Sequence, residues 1–338
     1  MRRECILVDE HGQHIGVSAG RLEVRGKEET QSVPLEEVES LLLGPKAGGV
    51  SVRALLSLVR EGASVSVLGE GGESLTLTPR SADGVALLRA QAKWSDGEGL
   101  RAGLELARRA LRHKVRNQRH LAGRLSEQAR HAGARAKLKR HHERLKALEA
   151  SIDAWRPAPD ATRHASASAL MSLEARAARA WWAAVALTLP PGFSFTGRAL
   201  SGDEQDPFNA ALNYGYAILV ARVTQALGAL GFEPQLGFLH ADAPPRVSLS
   251  YDVVECYRQP FVDWPLLCLA QERGEAWGLG EDGRLTVEAK RAVAASVLGA
   301  LSEERSWGVG IEVIRGDARG LKESLLQGTT WRPQALKI

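Results

Sequence analysis

Three cysteines in 338 residues, Cys5, Cys256 and Cys268, are too few for a disulfide framework or a cysteine-based zinc centre. No segment approaches the ~18 uncharged apolar residues that a membrane helix needs. The opening Met1-Arg2-Arg3-Glu4-Cys5-Ile6-Leu7-Val8 lacks the long apolar core of a secretory signal, so a cytoplasmic protein is expected. A Gly-x-x-x-x-Gly-Lys-Ser/Thr phosphate loop is missing, and Gly69-Glu70-Gly71-Gly72 sits in a strand-turn setting without a helix to cradle phosphate. The Gly-x-Ser-x-Gly turn of a serine hydrolase is missing too. Acid is scarce between Arg101 and Lys146, where fifteen Lys/Arg residues and five histidines face only Glu105, Glu127 and Glu143. Such a segment repels itself unless an anion lies alongside, and a polyphosphate or a plain solvated helix face would each satisfy it.

What is present describes a folded protein. Apolar residues make up 44% of the chain and charged residues 25%, which excludes a disordered polymer, and the length favours two domains. The net charge of +4 is too mild to name a partner. Cys5–Val8, Arg21–Val24, Val38–Leu43, Val65–Leu68 and Leu75–Leu77 are short apolar runs separated by glycine-rich breaks, the pattern of a small sheet, with one helix over Val52–Arg60. Beyond Gly84 the periodicity changes: Leu104, Ala107, Leu111, Val115, Ala122 and Leu125 form an amphipathic helix with a cationic polar face. The expectation is an α+β chain with a β-rich domain over 1–85 and a larger helical domain over 86–338.

The helical part also holds a set of oxygen and imidazole donors. Asp252 and Glu255 lie three apart, on one face if Tyr251–Arg258 is helical. His240 precedes them across the Pro244-Pro245 turn, and Glu174 lies near the buried edge of an alanine-rich helix. One histidine with two or three carboxylates suits Mg²⁺ or Mn²⁺. Taken singly, His240 reads first as a capping or packing residue, Asp252 and Glu255 as a solvated helix face, and Glu174 as a partner of Arg176 or Arg179.

The chain resembles the CRISPR-associated endonuclease/integrase family of spacer acquisition (the Cas-one family). The resemblance runs in the family's order through Gly20–Arg25, Val33–Leu35, Val38–Leu43, Leu88–Ala92, Lys114-Val115-Arg116-Asn117-Gln118-Arg119, Leu170–Arg179, Asp206–Leu219, Gly237–His240 and Ser248–Glu255. Ala175-Arg176 stands where the family usually has Gly-Asn. The resemblance implies that Glu174, His240 and Glu255 hold Mg²⁺ or Mn²⁺, with Asp252 beside them as a further catalytic or supporting acid. Arg112, Lys114, Arg116, Arg119, Arg179 and Arg198 are the candidate DNA contacts. It also implies insertion of captured double-stranded DNA into a CRISPR repeat by 3′-OH attack, a homodimer formed by the β domain along edges such as Val38–Leu43, and a Cas-two partner. The alternatives are a catalytically weak DNA-binding scaffold and a stand-alone transposase or repair nuclease.

Overall fold

The computed structural model describes residues 4–27, 29–69, 74–78, 81–95, 97–158, 162–199, 206–239, 247–280 and 283–336. The first part is two four-stranded sheets. One has the order β1 (Glu4–Val8), β5 (Val38–Leu43), β7 (Ser64–Leu68), β8 (Ser74–Leu77); its first three strands are parallel and β8 runs antiparallel to β7. The other has the order β4 (Thr30–Pro34), β3 (Arg21–Arg25), β2 (His14–Ser18), β6 (Gly49–Val50). Helix α1 (Val52–Arg60) starts at Ser51, whose side chain accepts from the Ala54 N–H, and buries Ala54 and Leu58.

Strand β5 links the two halves because its side chains alternate. Leu41 and Leu43 join Val8, Ile15, Leu22, Val38 and Val65 in the β core, while Leu42 points into the helical core. The expectation that Val38–Leu43 offers a pairing edge is therefore corrected: β1 and β7 flank it on both sides. Its run of leucines is apolar because both faces are covered. Strands β1 and β8 form the edges of that sheet, and Val67, Leu75 and Leu77 are exposed around β8.

The rest of the chain is helical, as expected: α2 (Gly84–Ala92), α3 (Gly97–Gln128), α4 (Ala132–Ala154), α5 (Arg163–Ala186), α6 (Pro207–Leu230), α7 (Ser248–Val254), α8 (Trp264–Arg273), α9 (Val287–Ser302) and α10 (Gly310–Gln327). A two-residue pair, β9 (Glu304–Arg305) with β10 (Gly308–Val309), precedes α10. Helices α3, α4 and α5 pack together, and α6 runs through the middle, packed on α7, α9, α10 and β7. Helix α6 is apolar nearly all round, as a core helix must be. Asp206 caps its start, accepting from the Asn209 N–H at 2.9 Å, and Gly231 ends it at φ 93°. At Gly215 a methyl group would come within 2.9 Å of Val262, so only glycine lets α6 approach the turn after Glu255 this closely. Arg222 on α6 and Arg315 on α10 both pair with Glu39, and Lys290 on α9 pairs with Asp9 at 3.1 Å, tying sheet to helices.

The C-terminal segment 328–336 folds back over α10. Trp331 is buried and donates to the Asp317 carbonyl at 2.9 Å, while the Gln334 N–H and the Tyr257 hydroxyl donate to the Asp317 carboxylate. Burial pushes the Asp317 carboxyl up to about 6, against the pull of these donors. On α3, burial and then Arg116 push His113 down to about 4. The two shifts act in opposite directions on stability. Asp317 holds its proton more tightly when folded, so its contribution is full below pH ~4 and is lost as pH rises through 6. His113 resists protonation when folded, so its contribution is full above pH ~6.5 and is lost as pH falls toward 4. Each is worth on the order of 3 kcal/mol, so they largely offset in the wild type. Asp317→Asn removes one slope. Denaturant titrations at pH 5 and pH 7 are expected to show the variant gaining on the wild type as pH rises; a constant difference would refute the Asp317 shift.

Candidate active site

Glu174, in the middle of α5, and Glu255, just past the end of α7, come from segments distant in sequence and converge on one cation. The Lys114 ammonium of α3 lies 2.5 Å from Glu174 Oε1 and 2.6 Å from Glu255 Oε2. Arg258, one turn on, reaches the other oxygen of Glu255 at 3.2 Å. The Lys114 and Glu255 side chains are only 7% and 6% exposed, whereas Glu174 is 27% exposed and opens to solvent. Burial is the largest influence on Lys114 and pulls its ammonium down. Glu255 and Glu174 outweigh it, so the group is held above the ordinary lysine range.

Around this cluster opens a cleft of about 550 Å³ lined by Gln118, Arg179, Trp182, Arg198, Tyr216 and Gln259 among others. Its wall is cationic. The Arg198 guanidinium donates to Asn209 and Asn213 of α6 and lies over the Tyr216 ring, and Arg258 stacks on that same ring at 4.7 Å. Asn209 in turn donates to the Gly197 carbonyl and accepts from the Ala199 N–H, fixing the stretch that carries Arg198. Under the floor, Asp263 accepts from the Tyr216 hydroxyl at 2.5 Å, Trp181 Nε1 at 2.8 Å and Gln259 Nε2 at 3.2 Å. Burial pushes the Asp263 carboxyl up, against those donors and Arg258.

Asp252 does not join this cluster. Its Oδ2 accepts the backbone N–H groups of Phe238 at 2.7 Å and Leu239 at 2.9 Å, the two residues immediately before His240. Gly237 is needed for the same approach: a methyl group there would meet Asp252 Oδ2 at 2.7 Å. Asp252 and Glu255 thus face different neighbours: Asp252 lies within α7, while Glu255 caps its end at the start of the turn that follows. His240 itself, with the Pro244-Pro245 turn, lies outside the described residues, and among those described no three His, Cys, Asp or Glu side chains form a metal-binding group.

The expected cationic residues separate into three environments. Arg179 is exposed at the cleft and Arg198 is half-buried in its wall. Arg119 is half-buried and paired with Glu149 at 2.7 Å, the exposed Arg112 lies 3.2 Å from Asp153, and Arg116 is half-buried. Lys114, expected on the outward phosphate-facing side, is turned inward. The stretch Lys114–Gln118 buries Lys114, Asn117 and Gln118 together, and Asn117 Nδ2 donates to the Cys256 carbonyl beside Glu255. A signal was present in the sequence: Lys114 follows Leu111 by three and precedes Gln118 by four, so it sits beside the apolar stripe. Arg258, Tyr216 and Asp263 escaped the sequence reading, since nothing in their local pattern distinguishes them from ordinary helix residues.

The donor set fits a hard divalent ion. Two carboxylates from separate helical segments already meet at one cation position, and oxygen donors suit Mg²⁺ or Mn²⁺. Gln118 Oε1, on a residue lining the cleft, is buried without a hydrogen-bond partner among the described residues.

A family model described as CRISPR associated protein Cas1 matches residues 6–293. A CRISPR-associated endonuclease Cas1 of Pyrobaculum aerophilum is 35% identical over 297 residues, covering 87% of this chain and 90% of that protein. Among solved structures, a casposase bound to integration product matches with a TM-score of 0.77 at 20% identity, covering 100% of this chain and 96% of the casposase. A chain of a Cas6-RT-Cas1–Cas2 complex matches with a TM-score of 0.79 at 19% identity, covering 99% of this chain and 36% of that one. At such identities the structural likeness speaks for the fold. The family match takes in both sheets, Lys114 and every carboxylate of the cleft, and with it the chain belongs to the Cas1 family.

Proposed function

We propose that this chain is a divalent-metal-dependent DNA endonuclease/integrase that inserts captured double-stranded fragments into a CRISPR array. The observation that carries the reading is the convergence of Glu174 and Glu255 on one cation at the floor of an arginine-walled cleft. Glu174, His240 and Glu255 would hold Mg²⁺ or Mn²⁺. When bound, the ion supplies Lewis-acid polarisation of the scissile phosphate and stabilises charge on the attacking and leaving oxygens. The chain's own residues do the rest. Arg179 and Arg198 on the cleft wall, with Arg112, Arg116 and Arg119 along α3, bind backbone phosphates and set the register of the duplex without reading its sequence. Asp252 holds the segment that leads into His240.

The 3′-OH of the captured fragment forms the new P–O bond while the target strand's P–O3′ bond breaks and leaves a free 3′-OH, so no side-chain nucleophile is needed. Water in place of the 3′-OH gives strand cleavage. The solved relatives include a casposase with its integration product and a Cas1–Cas2 assembly, consistent with DNA and a Cas2 partner for this chain too. A homodimer formed through the β domain would cover Val67, Leu75 and Leu77 near the open β8 edge. No helix among the described residues is long and apolar enough to cross a membrane.

The test combines the purified protein, a labelled fragment with free 3′-OH ends, and a supercoiled plasmid carrying a repeat array. Each reaction is run with Mg²⁺, Mn²⁺ or EDTA, with and without a Cas2 partner, for wild type and His240→Ala. Covalent joining that needs metal and His240 is the expected result. Tight, salt-sensitive DNA binding with neither joining nor cleavage would instead leave a scaffold. Sedimentation velocity on the same preparation reads the dimer, and a monomer at working concentration removes that part of the reading.

A further inference from the structure

We propose that the Lys114 ammonium is a tethered cation that occupies the meeting point of Glu174 and Glu255 and competes with the divalent ion for these carboxylates. The inference rests on the reading that these carboxylates are metal ligands, and it assigns Lys114 a regulatory place in that site.

Three observations carry it. The ammonium lies within 2.6 Å of one oxygen of each carboxylate, so an ion using those same oxygens at about 2.0–2.2 Å must displace it. Among the described residues the ion pairs balance: Lys114 and Arg258 face Glu174 and Glu255 in a site where Lys114 and Glu255 are almost fully buried. Adding a divalent ion while the ammonium stayed in place would leave two excess positive charges in a low-dielectric pocket. An exit also exists, because Lys114 and Glu174 line the 550 Å³ cleft and the lysine stem can carry its ammonium into it. A phosphate in the cleft is an anion that would receive the displaced ammonium. DNA should therefore draw Lys114 away from the carboxylates and tighten metal binding, and by reciprocity the metal should tighten DNA binding. Without DNA, the lysine holds the two carboxylates together and keeps metal occupancy low.

The experiment is calorimetric titration of Mn²⁺ into metal-free wild type, Lys114→Met and Lys114→Gln, with melting curves before and after metal. Lys114→Gln keeps a neutral hydrogen-bond donor between the carboxylates and serves if the methionine variant does not fold. The expected result is Mn²⁺ binding about tenfold tighter or more in the variants, since a competing buried charge is gone. Their melting temperature should be lower without metal and should recover with it. Equal or weaker Mn²⁺ affinity in a folded variant overturns the inference while leaving the metal site standing. Absence of Mn²⁺ binding by wild type and variants alike overturns the metal-site reading, and the inference with it.

Discussion

Replacing Glu255 with alanine is expected to abolish both joining and cleavage and to destabilise the fold. Glu174→Ala should lose activity to a similar degree at much less cost in stability. The difference follows from burial. Glu255 is nearly enclosed, with Lys114 at 2.6 Å on one oxygen and Arg258 at 3.2 Å on the other. Truncating it takes the carboxylate from Arg258 and leaves the buried Lys114 with Glu174 alone, a loss of about 3–5 kcal/mol. Glu174 is more than a quarter exposed, so water can reach Lys114 from its side when it is removed. In both variants activity should fall by about 10²–10³-fold, the scale seen when a group that stabilises developing charge is lost. Urea titration alongside the joining assay separates the two effects. Equal stability losses would show that Glu174 is as deeply committed to the core as Glu255; retained activity in either variant would remove that residue from the ligand set.

The second large effect is expected at Asp252, where the conservative and the truncating variants should part company. Asp252→Ala leaves the Phe238 and Leu239 N–H groups buried without their acceptor, a loss of about 3 kcal/mol. The segment entering His240 loses its anchor, and Mn²⁺ affinity should weaken by about 10–100-fold. Asp252→Asn keeps a carbonyl oxygen where Oδ2 now accepts both bonds, so it should retain most of the metal affinity and most of the joining rate. A residue whose task is to take a proton would behave otherwise, since asparagine cannot accept one and would be as inactive as alanine. Calorimetry and single-turnover joining on the pair therefore decide between a positioning residue and a proton acceptor.

Much of the fold was legible in the chain because it depends on local periodicity. The short apolar runs before Gly84 became strands, the stripe from Leu104 to Leu125 became α3, and the change of period fell where the strands give way to helices. Val38–Leu43 was legible as a strand but not as an interior one. A continuous apolar run suits both an exposed edge and an interior strand, and only the pairing of β5 with β1 on one side and β7 on the other shows which. The edges went instead to β1 and β8, and the exposed Leu75 and Leu77 of β8 are no more apolar than the leucines of β5.

The candidate site divides along the same line. The order of the motif segments singled out Glu174 and Glu255, and the structure brings those two carboxylates together across α5 and the turn after α7. The basic segment from Arg101 to Lys146 read as one cationic face, yet its members parted. Arg119 pairs with Glu149, Arg112 lies beside Asp153, and Lys114 turns inward to the carboxylates. By itself the sequence determined the order of the strand-rich and helical regions and their extended and helical periods, because each is written in residue type and spacing along the chain; the carboxylates were singled out by the family resemblance. Only the tertiary structure decided that Lys114 neutralises those carboxylates and that Asp252 anchors the backbone before His240. Both depend on which segment lies against which, and a buried charge takes its role from the partner that folding places beside it.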